Sequence, residues 1–201
     1  TWTKQDPTGQ HDSFSFHAMS ADGSKQIAVN YVDGYVYTSI DTGVTWIKRV
    51  GPGSHSWNGV AISADGARQA AVVNNGYIYT SDDFGVTWAE HQEPGYRQWS
   101  AIAMSNNGAV LTATSAVGNV YISHNSGASW TGQVIPGSPI LNSVAMSADG
   151  TKQTAVGYGS PNGYIYTSND IGATWIARTS AGQNYWSSVA MSSDGTKQMV
   201  A

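Results

Sequence analysis

The stretch SDDFGVTW, residues 81–88, sets Ser81, Asp83, Gly85, Thr87 and Trp88 at short fixed offsets. A hydroxyl beside a carboxylate is the raw material of nucleophilic catalysis, and the same oxygens could ligate a hard cation. The cluster recurs as Ser39–Trp46 and Ser168–Trp175, with a variant at Ser123–Trp130 that has Asn125 in the Asp slot and Ser129 in the Thr slot. An Asn keeps the carbonyl acceptor and loses the charge, an exchange that would disable a nucleophile or a cation site. A turn tolerates it. Asp and Ser side chains in a tight turn bond nearby backbone groups, Gly supplies a conformation that other residues resist, and Trp buries its ring between sheets. Four sets are therefore assigned as structural: Ser39, Asp41, Gly43 and Trp46; Ser81, Asp83, Gly85 and Trp88; Ser123, Asn125, Gly127 and Trp130; Ser168, Asp170, Gly172 and Trp175.

The other candidate acids thin out in the same way. Of eleven Asp, three sit in these boxes and four in Asp-Gly pairs (Asp22, Asp65, Asp149, Asp194). Asp6, Asp12, Asp33, Asp82, Glu90 and Glu93 are scattered over different units, whereas a glycoside hydrolase needs two carboxylates converging on one bond. His11, His17, His55, His91 and His124 show no ligand spacing. The sequence predicts no catalytic residue, no metal site and no cofactor.

What positions these residues is a repeat. Trp2, Trp46, Trp88, Trp130 and Trp175 follow one another at 44, 42, 42 and 45 residues. A second motif keeps the beat: AMSADG at 18–23, AISADG at 61–66, AMSNNG at 103–108, AMSADG at 145–150 and AMSSDG at 190–195. Each unit reads as four short strands, in the second unit about 57–63, 68–74, 77–81 and 87–91, with no helical period. The Asp-Gly or Asn-Gly pair between the first two strands predicts a two-residue hairpin with positive φ at both central positions. The first strand is apolar on both faces, with Val60 and Ile62 opposite Trp57 and Ala61, as a sheet covered on both sides requires. A four-stranded unit of about 42 residues is the mark of a β-propeller blade. The expected fold is all-β: residues 1–201 as a single five-bladed propeller domain of four-stranded antiparallel blades. It closes by pairing Thr1–Gln5 with the C-terminal segment, and the last blade is incomplete in this chain.

Composition agrees. Of 201 residues, 40% are hydrophobic, 11% are charged and 23 are Gly, the profile of a turn-rich β protein with ample core. The net charge of −4 and the lack of any basic cluster argue against nucleic acid as a partner. No apolar run is long enough to insert in a membrane. With no Cys there is no disulfide or thiol chemistry.

The boxes SIDTGVTW, SDDFGVTW and SNDIGATW resemble the Asp-box, or BNR repeat, of sialidase-type propellers, over essentially the whole chain. The family includes sialidases, xyloglucan-degrading hydrolases, sorting receptors, photosystem assembly factors and lectins, so the resemblance implies fold and not function. Sialidases carry an Arg triad, a Tyr–Glu pair and an Arg-Ile-Pro signature. This chain has only Arg49, Arg68, Arg97 and Arg178 and lacks that signature. The resemblance is to a non-catalytic member.

The one-to-two and three-to-four turns share one face of such a fold. The opposite face carries the two-to-three loops and the connections between units, and these vary: GSHSW, GYRQW, GSPIL and GQNYW each lead into a first strand. Recognition sits where loops vary on a regular scaffold. The strand-entry slot holds Phe14, Trp57, Trp99, Leu141 and Trp186, preceded by His55, Tyr96, Arg97, Asn184 and Tyr185. Aromatic faces beside amide, imidazole and guanidinium donors suit a sugar. The competing use of these Trp is to fill the wedge between blades. The function expected is a non-catalytic, lectin-like carbohydrate-binding propeller with several shallow sites at Trp57, Trp99, Trp186, His55, Tyr96, Arg97, Asn184 and Tyr185. Its setting would be a secreted or cell-surface one. The alternative is a scaffold or protein-interaction propeller belonging to a longer repeat array. The incomplete blade leaves an edge open to oligomerisation or strand exchange.

Overall fold

The computed structural model describes residues 14–137, 139–159 and 163–201. Blade 1 comprises β1 (Phe14–Met19), β2 (Gln26–Asn30), β3 (Val36–Ser39) and β4 (Ile47–Arg49). Blade 2 comprises β5 (Trp57–Ile62), β6 (Gln69–Gly76), β7 (Ile78–Ser81) and β8 (Ala89–His91). Blade 3 comprises β9 (Arg97–Met104), β10 (Leu111–Ser115), β11 (Asn119–Ser123) and β12 (Thr131–Val134). Blade 4 comprises β13 (Ile140–Met146), β14 (Gln153–Tyr158), β15 (Ile165–Ser168) and β16 (Ile176–Arg178). Two strands of blade 5 follow, β17 (Val189–Met191) and β18 (Gln198–Val200). Within each blade consecutive strands pair antiparallel. The fold is an all-β, five-bladed propeller array; among the described residues four blades are complete and the fifth is represented by two strands. The expected pairing of Thr1–Gln5 with the C-terminal segment lies outside the described residues.

The core lies between blades. Ile27, Val29 and Val36 of blade 1 meet Trp57, Ala71, Val73 and Tyr79 of blade 2. Ala70, Val72 and Ile78 of blade 2 meet Trp99, Ile102 and Leu111 of blade 3. Val120 and Ile122 of blade 3 meet Leu141, Val144, Ala155 and Tyr166 of blade 4. Burying one such aliphatic side chain is worth about 1.5–3 kcal/mol, so stability accumulates interface by interface.

Four boxes make the same turn. In the second, Gly85 N–H donates to Ser81 Oγ (2.9 Å), Ser81 Oγ to Asp83 Oδ1 (2.8 Å), Thr87 Oγ1 to Asp83 Oδ2 (2.6 Å) and Trp88 Nε1 to Gly85 O (2.9 Å). In the variant box Asn125 Oδ1 accepts from Ser123 Oγ and from Ser129 N–H, while its Nδ2 donates to Ser129 Oγ at 2.9 Å. One hydrogen bond reverses and the turn survives. The residue before each box glycine also has positive φ (Thr42, Phe84, Ser126, Ile171 at 58–61°), a strained position that the sequence did not betray.

The Asp-Gly turns correct an expectation. Only the glycines, Gly23, Gly66, Gly108, Gly150 and Gly195, have positive φ, so these are not two-residue hairpins with both central residues left-handed. The turn serine is the reason. Ser63 Oγ donates to Asp65 Oδ1 and accepts from Arg68 N–H, and Asp65 Oδ1 accepts from Ala67 N–H. The side chains close a four-residue loop between Ser63 and Arg68, whose backbones pair at 2.9 Å.

Candidate functional site

The first strands of blades 1 to 4 each enter through a bulge. The pairing slips between Phe14 and Phe16, between Trp57 and Gly59, beside Trp99 and between Leu141 and Ser143. The bulge re-aims the residue after the strand-entry side chain, which is Ser15, Asn58, Ser100 or Asn142. Asn58 Nδ2 then donates to Trp99 O (2.8 Å) and Asn142 Nδ2 to Trp186 O (3.1 Å), tying one blade to the next at the mouth of the loop face. These two amides were not singled out from sequence; their recurrence after a strand-entry residue was the available signal.

The strand-entry aromatics fill the wedge. Trp99 is fully buried and donates Nε1–H to Gly76 O at 3.0 Å; Trp57 is buried and donates to Gly34 O at 2.6 Å. Neither indole offers an open face as a platform. Trp186 is half-buried, and its Nε1 has no partner among the described residues.

The residues beside them are the accessible ones, and the structure gathers them into two grooves. Between blades 1 and 2, a groove of about 450 Å³ is lined by Ser15, Phe16, Tyr31, His55, Ser56, Trp57, Asn58 and Asn74. His55 is its anchor: Nε2 lies 2.8 Å from Pro52 O and 3.2 Å from Tyr79 Oη, and its ring stands edge-on to Trp57 at 5.2 Å. The two-to-three loop of blade 1 supplies Tyr31, 82% exposed, and is held to the incoming connection by His55 N–H on Gly34 O and Ser54 Oγ on Asp33 O. Between blades 4 and 5, a groove of about 290 Å³ is lined by Gly159, Gln183, Asn184 and Tyr185. Here Tyr185, also 82% exposed, leans on Tyr158 at 5.8 Å, and Asn184 N–H donates to Gly163 O. The two grooves are built alike, from a two-to-three loop and the connection that follows it.

Tyr96 and Arg97 are arranged otherwise. β6 runs on past its blade and pairs with β9 (Asn74 with Gln98, Gly76 with Arg97), joining blades 2 and 3 into one eight-stranded sheet. Arg97 Nε is spent on Pro94 O (2.6 Å) and its guanidinium lies 4.6 Å over the Tyr121 ring. Tyr96 is exposed and stands edge-on to Tyr77. The predicted residues thus fall into two open grooves and one bridged junction, not a ring of equal sites. Tyr31 and Asn74 were missed because their loops differ in length and share no motif.

No Asp, Glu, Lys or Arg is among the described residues that line the grooves; the acids are used elsewhere. Hydroxyls from Thr45 and Thr174 hold the carboxyls of Asp41 and Asp170 down to about 2; Ser147 and Ser192 do the same for Asp149 and Asp194. Burial pushes Asp83 upward, but the hydrogen bonds from Thr87 and Ser81 outweigh it and its carboxyl is lowered. Asp33 takes Tyr37 Oη–H at 2.6 Å and Lys48 at 3.0 Å, and Glu90 takes Tyr79 Oη–H at 2.5 Å. Arg49 and Arg178 each donate Nε–H to a Thr hydroxyl of their own blade at 2.7 Å. Among the described residues no group of three His, Asp or Glu could hold a metal ion.

No family model and no curated protein matches the chain. Solved structures do. It superposes on GH74 from Niastella koreensis with a TM-score of 0.68 at 20% identity, over 89% of this chain and 26% of that one. With YCF48 bound to D1 peptide the TM-score is 0.63 at 18% identity, over 92% and 63%. With the WD40 repeats of RRP9 it is 0.73 at 16% identity, over 92% and 56%. The chain spans less than two thirds of each of these structures. An enzyme, a peptide-bound protein and a WD40 repeat protein share one architecture here, and what they have in common with this chain is the β-propeller.

Proposed function

We propose that the protein is a non-catalytic, Asp-box-type propeller that binds carbohydrate at the loop face, in the grooves between blades 1 and 2 and between blades 4 and 5. The observation that carries this reading is the matched construction of the two grooves. Each combines an exposed Tyr with amide, hydroxyl or imidazole groups, and among the described residues neither is lined by an Asp, Glu, Lys or Arg. A neutral polyol fits that chemistry: its C–H face stacks on Tyr31 or Tyr185, and its hydroxyls exchange hydrogen bonds with Asn58, Ser56 and His55 or with Asn184 and Gln183. A shallow site of this kind is weak singly, and two on one rigid frame gain by avidity on a glycan-coated surface. The non-catalytic half of the reading rests on the acids, since seven of the eleven Asp are staples of turns.

A peptide is the second reading, favoured by the likeness to YCF48 bound to D1 peptide. A glycan array probed with the purified chain separates the two. Retention on neutral glycans that is lost in the Tyr31→Ala, Tyr185→Ala double variant is the expected result. Indifference to a broad array, with capture of a deglycosylated protein partner, would replace it with the peptide reading.

A further inference from the structure

One slot recurs where the chain enters blades 2 to 5, two residues before the strand-entry side chain: His55, Arg97, Pro139 and Asn184. In blades 2 and 3 its occupant lies against the third-strand tyrosine of its own blade. The Arg97 guanidinium sits 4.6 Å over the Tyr121 ring, and the His55 ring lies 5.4 Å from the Tyr79 ring, tilted by 34°. His55 therefore stands where the next blade keeps a permanent cation. Histidine is the side chain that gains or loses its charge between about pH 5 and 8.

The hydrogen bonds around His55 fix which ring nitrogen is free. Pro52 O is an acceptor only, so the Nε2 that lies 2.8 Å from it carries a proton. The Tyr79 hydroxyl gives its own proton to Glu90 Oε2 and turns its oxygen to the same Nε2 at 3.2 Å. Nδ1 has no partner among the described residues and is not buried, so it is the ring nitrogen open to the solvent of the groove. In the neutral ring Nδ1 accepts. In the imidazolium it donates, and nothing at Nε2 has to change. The charge also has a counterpart. Glu90 stands two residues after its box Trp, where blade 3 has Gly132, and the Tyr79 hydroxyl and the Gln92 amide hold its carboxyl below the usual range. An imidazolium at His55 thus faces the Tyr79 ring and, through the hydroxyl, the Glu90 carboxylate. Across the groove the blade 1 loop brings Tyr31, and Asp33 paired with Lys48 at 3.0 Å; β1, β5 and β6 bring no titratable side chain to the described lining.

We propose, resting on the carbohydrate reading, that His55 sets the ligand class of the groove between blades 1 and 2. Neutral sugars are taken whatever its charge, and sugars bearing a carboxylate are taken only by the imidazolium. A sugar hydroxyl either donates or accepts, so it meets Nδ1 in both states. A carboxylate only accepts. It is repelled by the lone pair of neutral Nδ1 and takes a charge-assisted hydrogen bond from Nδ1–H of the imidazolium. The groove between blades 4 and 5 has Asn184 in the slot, whose amide carries no charge in either state. The two grooves, alike in build, therefore part in ligand class as the medium acidifies.

Galactose and galacturonic acid test this, since they differ only in a hydroxymethyl group against a carboxylate. Isothermal titration at about pH 5 and about pH 8 is run on the Tyr185→Ala protein, in which the groove between blades 1 and 2 alone keeps its exposed tyrosine. Galacturonate is expected to bind about tenfold or more tightly at the lower pH, the effect of one charge-assisted hydrogen bond, while galactose shows no such rise. His55→Arg, a side chain that the same slot already holds in blade 3, should bind galacturonate equally at both pH values. His55→Gln should lose the rise. Galactose binding with no rise for galacturonate at the lower pH overturns the proposal, and so does a rise that persists in His55→Gln. Should neither sugar bind, the carbohydrate reading fails and acetate decides the subsite by itself. A saturable shift of the His55 ring signals at the lower pH, absent at the higher, upholds it; no shift at the lower pH, or an equal one at both, overturns it.

Discussion

Thr112 Oγ1 donates to Gln153 Oε1 at 2.7 Å across the contact between blades 3 and 4. Thr154 and Gln198 repeat the bond, also at 2.7 Å, between blades 4 and 5. The other two contacts lack it, and one of them keeps the acceptor alone. Seven residues after the turn serine, where Thr112 and Thr154 stand, blade 1 has Ile27, and Gln69 Oε1 is left buried without a partner among the described residues. Blade 3 solves the same problem with Leu111 in the Gln slot opposite Ala70.

An orphaned buried acceptor costs about 1–3 kcal/mol, so Gln69→Leu is expected to stabilise the protein by about 1 kcal/mol. Ile27→Thr, ordinarily costly in a core, supplies the missing donor. It should be less destabilising beside Gln69 than beside the leucine variant by about 1–2 kcal/mol. Urea unfolding of the four proteins in that cycle gives the coupling directly, and a coupling near zero would mean that the two side chains do not meet.

The boxes make a prediction about charge. Asn125 shows the turn working with an amide, its Nδ2 donating to Ser129 where Thr87 donates to Asp83. Asp83→Asn should therefore shift the urea midpoint little, whereas Asp83→Ala strands the Thr87 amide and the Ser81 hydroxyl and should cost about 1–3 kcal/mol. Trp175→Ala, which empties a buried position, should cost about 3–5 kcal/mol. A tolerated Asp83→Ala that abolished ligand binding would turn the box from staple to site.

Acid should unfold the protein through its turns. The carboxyls of Asp41, Asp149, Asp170 and Asp194 are lowered to about 2, below their unfolded value near 4. Groups of that kind contribute stability that is fully present above the unfolded pKa and is lost as pH falls through the folded one. The urea midpoint should be flat above about pH 5 and fall steeply between about pH 4 and 2. A midpoint unchanged at pH 2.5 would mean that the turns hold without their charge. The turns already carrying Asn107 and Asn125 should contribute nothing to the slope.

The repeat, the strand order and the boxes were legible because they are local: a period of about 42 residues, alternating apolar positions and a fixed eight-residue spacing survive in one dimension. The second-unit strands expected at 57–63 and 77–81 fall at Trp57–Ile62 and Ile78–Ser81. What the sequence concealed depends on neighbours. Ser63 and its counterparts are unremarkable residues until the Asp-Gly turn folds back on them. The β6–β9 pairing that bridges blades 2 and 3 arises between segments with no shared motif. Nor can composition tell an indole that fills a wedge from one that faces a ligand. Trp99 and Tyr185 are both aromatic, and the packing of the next blade alone decides that one is fully buried and the other 82% exposed.

That contrast sets the last prediction, on the site itself. Tyr185→Ala and Tyr31→Ala remove rings that lie mostly in solvent, so each should leave the unfolding midpoint within about 0.5 kcal/mol of the parent. Under the carbohydrate reading each should weaken retention on a glycan surface, and the pair together should abolish it, because avidity needs both grooves. Trp99→Ala should behave in the opposite way, costing about 3–5 kcal/mol through the cavity it leaves between blades 2 and 3. Any binding that variant retains when folded should match the parent. Isothermal titration with a monovalent sugar identified on the array, run beside urea unfolding for each variant, keeps the two effects apart. Loss of sugar binding in a stable, folded Trp99→Ala protein, with both tyrosine variants unaffected, would move the site from the two grooves to the bridged junction at Tyr96 and Arg97.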